Sequence, residues 1–154
     1  MEKRITALEL MELCRGRNEE IAALGDRLDT LREGMTRISA GMGQTAREAM
    51  GDKYAAYVAR LDEMERQLRR LKRLHGAEQV AVILLTDRMP AARRDCLRLY
   101  YGRGRSTQQI AMHINYSQRH VERILEESRE AILEISRGTV ENVLPGWYMR
   151  EMEG

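Results

Sequence analysis

From Ile21 the apolar residues recur at Ile21, Leu24, Leu28, Leu31, Met35, Ile38 and Met42, in alternating steps of three and four. Such a pattern holds one stripe on one face of a helix, and the charged residues between make it a heptad seam that asks for a partner. Carried backward it reaches Cys14 and Leu10, with Arg17 as the one clear break. Gly25 and Gly34 lie off the seam; each costs about 1 kcal/mol relative to Ala, which weakens the helix without ending it. Between Ser39 and Asp52, Gly41, Gly43 and Gly51 predict a loop at about 39–52 that turns the chain. A second seam follows through Tyr54, Tyr57, Leu61, Met64, Leu68 and Leu71, with His75 at the next position. Two matched seams predict a long antiparallel, coiled-coil-like hairpin, and the same pattern also allows pairing between chains in a parallel dimer. A lone His at a seam is ordinarily a satisfied or edge-exposed side chain.

No Pro precedes Pro90, as long uninterrupted helices require. Gly76 predicts a loosening or an end of the second long helix, and Ala77 to Leu85 a further apolar one. Asp87 and Pro90 mark another start, because Asp can accept from free N–H groups and Pro is tolerated in a first turn. The helix they open runs from Ala91 to Tyr101, with Cys96, Leu97, Tyr100 and Tyr101 for packing, and stops at Gly102 and Gly104.

Ser106 and Gln109 then form an S-x-x-Q capping box, so a helix starts at Thr107 with Ile110, Ala111 and Ile114 on its inner face. Asn115 and Tyr116 make a turn. Ser117 caps a second helix whose apolar stripe is Val121, Ile124, Leu125, Ser128, Ile132 and Ile135. This is a helix-turn-helix, and it leaves Gln118, Arg119, Glu122 and Arg123 outward on the first turns of the second helix. Those side chains suit a DNA major groove: Arg donates in a fork to guanine, Gln pairs with adenine and Glu accepts from cytosine. Arg103, Arg105, Ser106, Thr107, Ser117 and His120 suit contacts to phosphate, which fix register without reading bases. Arg66, Arg69, Arg70 and Arg73 recur at helical spacing, a possible accessory basic face for the same backbone. The other reading of that face is a solvated surface balanced by Glu63 and Glu65.

Composition agrees with an all-α chain: aromatics make up 5% of the 154 residues, Phe is absent, and straight-chain helix formers dominate. A net charge of +2 is too small to announce a nucleic-acid partner by itself, so the local distribution decides. Cys14 and Cys96 stand alone, which fits free thiols in a reducing cytoplasm and neither a disulfide framework nor a metal site. The N-terminal MEKRITALELMELCR lacks the apolar core of a signal peptide, and no run is long enough to span a membrane. Asn115-Tyr116-Ser117 is a chance match to the glycosylation sequon. GRGRST has neither the spacing nor the Lys of a phosphate loop, and no nucleophile and base stand together, so neither an enzyme nor a bound cofactor is expected.

The run from Val80 to Ile135 resembles region 4 of bacterial sigma factors, with RDCLRLYY (Arg94 to Tyr101), Gln109-Ile110-Ala111 in place of Glu-Ile-Ala, and Ser117 to Ile124 as recognition helix. In layout the whole chain resembles phage and prophage proteins with a helical front half and a sigma-like helix-turn-helix behind it, some of them late-gene regulators. The patterns along the chain, with this resemblance, predict an all-α protein with a coiled-coil-like helical hairpin over 1–76, a helix-turn-helix DNA-binding domain over 77–138 and a tail over 139–154. The resemblance implies a cytoplasmic transcriptional regulator that binds double-stranded DNA. The N-terminal helices would make a homo-oligomer, such as a dimer, or bind a partner protein. Nothing resembles the sigma region that melts promoters, so a complete initiation factor is not expected. Two other roles fit the same residues: docking on RNA polymerase or another regulator without base readout, and DNA recognition within a packaging assembly. In the tail, Val140, Val143, Leu144 and Trp147 predict a short amphipathic turn interrupted by Pro145.

Overall fold

The computed structural model describes residues 5–41 and 43–153, with the backbone alone at 39, 41, 44–47, 49 and 50. Met42 of the first seam and Met1 to Arg4 of the N-terminal segment therefore lie outside the described residues. The chain is all-α, without a strand among the described residues. Its first two helices are α1 (Ala7–Gly41) and α2 (Gln44–Thr86). There follow α3 (Ala91–Leu97), a π-helical turn (Arg98–Gly102), α4 (Thr107–Ile114), α5 (Gln118–Leu133), α6 (Arg137–Val143) and α7 (Gly146–Glu153).

The turn between the long helices is shorter than the predicted 39–52 loop. Helix resumes at Gln44, and Gly51 survives as a kink with φ 10° and ψ −88° inside α2. Gly76 does not end α2 either. A Cβ there would meet nothing within 4 Å, and with no proline or capping residue beside it a lone glycine only lowers helix propensity. The predicted helix Ala77–Leu85 is thus the end of α2. The end comes at Thr86, whose Oγ1 donates back to the Val82 carbonyl at 2.8 Å. Asp87 does not cap the next helix: Pro90 holds the N-cap position of α3 without a side-chain cap.

The chain divides into two compact units, residues 20–72 and residues 1–19 with 73–154, and the boundary crosses both long helices. This differs from the division at 76/77 and 138/139 that the sequence suggested. In the 20–72 unit, Leu24, Leu28 and Met64 form a buried cluster flanked by Leu31, Leu61, Leu68 and Leu71. Arg32 Nη2 bonds Glu65 Oε1 at 2.8 Å across the pair. The two seams meet within one chain, antiparallel. Tyr57 of the second seam is left exposed at 40%.

The larger unit has a main core of Ala7, Leu10, Met11 and Cys14 from α1 and Leu74, Ala81 and Val82 from α2. Leu97, Ile132, Val140, Leu144 and Tyr148 complete it. Both cysteines are free and buried, and they sit in different clusters. Burial and the Glu78 carboxylate push the Cys14 thiol up to about 12, against the opposing charge of Arg17. The predicted tail is therefore part of this core. Ser136 caps α6 by accepting from the Thr139 N–H at 3.1 Å, and α7 carries the fully buried Tyr148 while the neighbouring Trp147 is only half-buried. Arg17, the break in the first seam, is buried and directs Nε to Glu78 Oε1 and Oε2 at 3.2 and 3.3 Å. The Tyr148 hydroxyl donates to the same Oε2 at 2.5 Å. A charge drawn out of water needs such partners, so the seam tolerates Arg17 because α2 presents Glu78 opposite it.

A candidate nucleic-acid interface

Local sequence positions the two short helices. Ser106 Oγ accepts from the Gln109 N–H at 3.1 Å while Gln109 Oε1 accepts from the Ser106 N–H at 2.9 Å, completing the predicted capping box of α4. At its other end Asn115 adopts φ 61°, ψ 42°, a left-handed conformation that Asn tolerates better than most residues. The Tyr116 N–H closes the turn on the Ala111 carbonyl at 3.0 Å. Ser117 Oγ then accepts from the His120 N–H at 3.1 Å and starts α5.

Beneath, Ile110, Ala111, Val121 and Ile124 form a buried cluster with Cys96 of α3. The small Ala111 side chain lets α4 and α5 approach, and Val121 anchors α5 from the first turn. Helix α5 buries Val121, Ile124, Ser128 and Ile132 as its stripe. Its helical part ends at Leu133, so Ile135 packs from beyond it.

The opposite face is polar and open. Gln118, Arg119, Glu122 and Arg123 are all exposed on the first two turns of α5. Gln118 is not idle: its Nε2 donates to Thr107 Oγ1 and to Glu122 Oε1, each at 3.2 Å. His120 is exposed and packs edge-on against Tyr116, ring centroids 4.8 Å apart. Arg103, Arg105, Ser106 and Ser117 are exposed near the helix starts, while Thr107 is half-buried. Two helix N-termini with free N–H groups, together with Arg103 and Arg105, give this side of the motif anion-binding character.

The segment that enters the motif is held by side chains the sequence reading passed over. A π-helical turn leaves carbonyls without their usual partners, and the long helices supply them. Arg15 Nη1 donates to the Tyr100 carbonyl at 2.5 Å and to the Arg105 carbonyl at 3.0 Å, its guanidinium 3.7 Å from the Tyr100 ring centroid. Gln79 Nε2 donates to the Gly102 carbonyl at 2.9 Å. In return Arg98 caps the end of α2, with Nε on Thr86 Oγ1 at 3.0 Å and Nη2 on the Ile83 carbonyl at 2.9 Å. Gly104 at φ 67° lies so close to α1 that a Cβ would fall 2.8 Å from Asn18 Cβ. Only the left-handed Gly104 had a signal in the sequence, as a glycine ahead of a capping box.

His75 faces the same region. Its Nε2 is buried without a hydrogen-bond partner. Burial lowers its pKa, the Gly102 carbonyl opposes the shift, and the Arg17 charge adds to it.

The possible accessory basic face is divided. Arg66 pairs with Glu63 at 3.2 Å within the 20–72 unit. Arg73, in the other unit, pairs with Glu151 at 3.0 Å and lies over Trp147, 5.1 Å from its ring centroid. Arg69 and Arg70 are exposed. Arg66 and Arg73 are therefore committed to carboxylates of the chain itself.

Residues 87–132 match the family model described as Sigma-70, region 4. The match begins after α2, so the helical residues up to Thr86 that the resemblance included lie outside it. No curated protein and no solved structure matches the chain. Over residues 87–132, from the turn before α3 nearly to the end of α5, the chain thus carries a sigma region 4-like helix-turn-helix of the DNA-binding kind.

Proposed function

We propose that this protein is a sequence-specific double-stranded DNA-binding transcriptional regulator, of the phage and prophage type whose layout it resembles, and not an enzyme. The observation that carries the reading is the exposed row of Gln118, Arg119, Glu122 and Arg123 at the start of α5, in a segment that matches Sigma-70 region 4. In a helix-turn-helix those turns lie in the major groove, where donors and acceptors of this kind distinguish base pairs. Arg103, Arg105 and the N-termini of α4 and α5 serve the phosphates on either side. Affinity drawn from phosphates falls with salt, with a slope of about −0.9 per neutralised phosphate on a log–log plot. Titration of a random-sequence duplex at several salt concentrations tests this. A steep linear decline is expected, and no complex at low salt overturns the reading.

A second reading has one observation in its favour. Val80, Ile83 and Leu84 form a stripe on α2 that is 54%, 46% and 50% exposed, apolar surface that base recognition does not use. Under this reading the domain docks on RNA polymerase without reading bases. Binding of the purified polymerase, lost in Ile83→Ser, together with no shift of duplex DNA, selects it over the first.

A further inference from the structure

Gln118 stands at the first position of α5, where a glutamine is expected to read adenine. That task needs one amide N–H and the amide oxygen directed together at the base edge. Here Nε2 spends both of its hydrogens inside the protein, one on Thr107 Oγ1 and one on Glu122 Oε1, each at 3.2 Å. What remains to face a ligand on this row is acceptor alone: Gln118 Oε1 and the uncommitted lone pairs of the Glu122 carboxylate. The neighbouring row, Arg119 and Arg123, is donor alone.

We propose that Thr107, Gln118 and Glu122 form a positioning chain that fixes Glu122 as the acceptor for the exocyclic amino group of a cytosine in the major groove. This rests on the reading of α5 as the helix that enters that groove. A carboxylate can accept only, so it favours a base edge that offers a donor without an adjacent acceptor. Cytosine N4 is such an edge, whereas the adenine amino group sits beside N7, which repels the carboxylate. Thr107 and Gln118 hold the carboxylate in place across the α4–α5 junction and make no base contact of their own. The arginine row is left for the guanines. Thr107, assigned to phosphate from sequence, and Gln118, assigned to adenine, both become positioning residues.

Selection of bound duplexes from a random pool tests this with the wild-type full chain, Glu122→Ala, Gln118→Ala, Thr107→Val and Thr107→Ser, helix content being checked by circular dichroism. The wild type is expected to select a cytosine at one position, with roughly tenfold discrimination against other bases there. Glu122→Ala should erase that preference. Thr107→Val and Gln118→Ala should erode it at the same position, and Thr107→Ser, which keeps the hydroxyl, should retain it. The proposal is overturned if Thr107→Val weakens all duplexes alike with base preferences intact, which is the behaviour of a phosphate contact. It is overturned equally if Gln118→Ala removes an adenine at a separate position. Failure of the wild type to bind any duplex removes the proposed function itself, a result distinct from either.

Discussion

Tyr148→Phe isolates one hydrogen bond in the core that joins the C-terminal helices to the helix-turn-helix unit. The tyrosine is fully buried and its hydroxyl donates to Glu78 Oε2, so the substitution removes a donor while keeping the ring that fills the core. Hydrophobic transfer and cavity terms are therefore nearly unchanged. A hydrogen bond to a charged acceptor contributes about 1.5–3 kcal/mol, and here its loss also leaves a buried carboxylate oxygen with weaker compensation from Arg17 Nε at 3.3 Å. A loss of about 2 kcal/mol lowers Tm by roughly 4–8 °C in a chain of this size. Trp147, the single tryptophan, is 6.2 Å from Tyr148 between ring centroids, so its fluorescence reports melting of this unit in particular. In a Glu78→Gln background the acceptor is neutral, and the added cost of Tyr148→Phe should fall to roughly 1 kcal/mol. A Tm within about 1 °C of wild type for Tyr148→Phe, with no coupling to Glu78, refutes the assignment of this network to the stability of the unit.

Substitutions at Gly104, Ser117 and His75 probe the scaffold of the motif. Gly104→Ala forces an L residue to φ 67° with Cβ 2.8 Å from Asn18, and should cost about 1–3 kcal/mol by thermal unfolding, partly recovered by Asn18→Gly. Ser117→Ala removes the cap of α5 and should cost about 1 kcal/mol, whereas Ser117→Asp should keep most of it. The pKa of His75 is lowered in the folded protein, so the unfolded chain binds the proton first as pH falls. Stability is then unaffected above the ordinary histidine value near 6.5 and declines below it. Urea midpoints from pH 7 to 5 should fall for the wild type and flatten for His75→Gln.

The fold was legible where local rules and periodicity coincide. Capping residues Ser106, Gln109 and Ser117 set both helix starts because a cap is a local event, and the stripe at Val121, Ile124, Ser128 and Ile132 follows from 3.6-residue spacing alone. The seams were legible for the same reason, and their partner was not: periodicity states that a stripe must be covered without naming what covers it. A lone glycine misled at Gly76, because its modest propensity cost is overridden in a helix held by packing on its other face, whereas Gly51 does interrupt the helical backbone, as the kink inside α2. The role of Arg17 was partly visible, since Glu78 falls seven residues after Leu71 on the second seam and makes a charge of opposite sign at a seam position. Arg15, Gln79 and Tyr148 carried no comparable signal. Their partners are backbone carbonyls or a side chain at sequence distances of 85, 23 and 70 residues, and a single sequence does not record such pairings.

The central claim is that the start of α5 reads DNA, and the most direct measurement compares the Kd of the wild type with that of the Arg119→Ala, Arg123→Ala double variant on a duplex selected by the wild type. Both side chains are exposed, so the fold should be unaffected. With about 1–3 kcal/mol for each guanine contact, affinity for the selected site should fall at least about thirtyfold, and discrimination against a scrambled duplex should collapse with it. Unchanged affinity and discrimination contradict the assignment of α5 as the recognition helix.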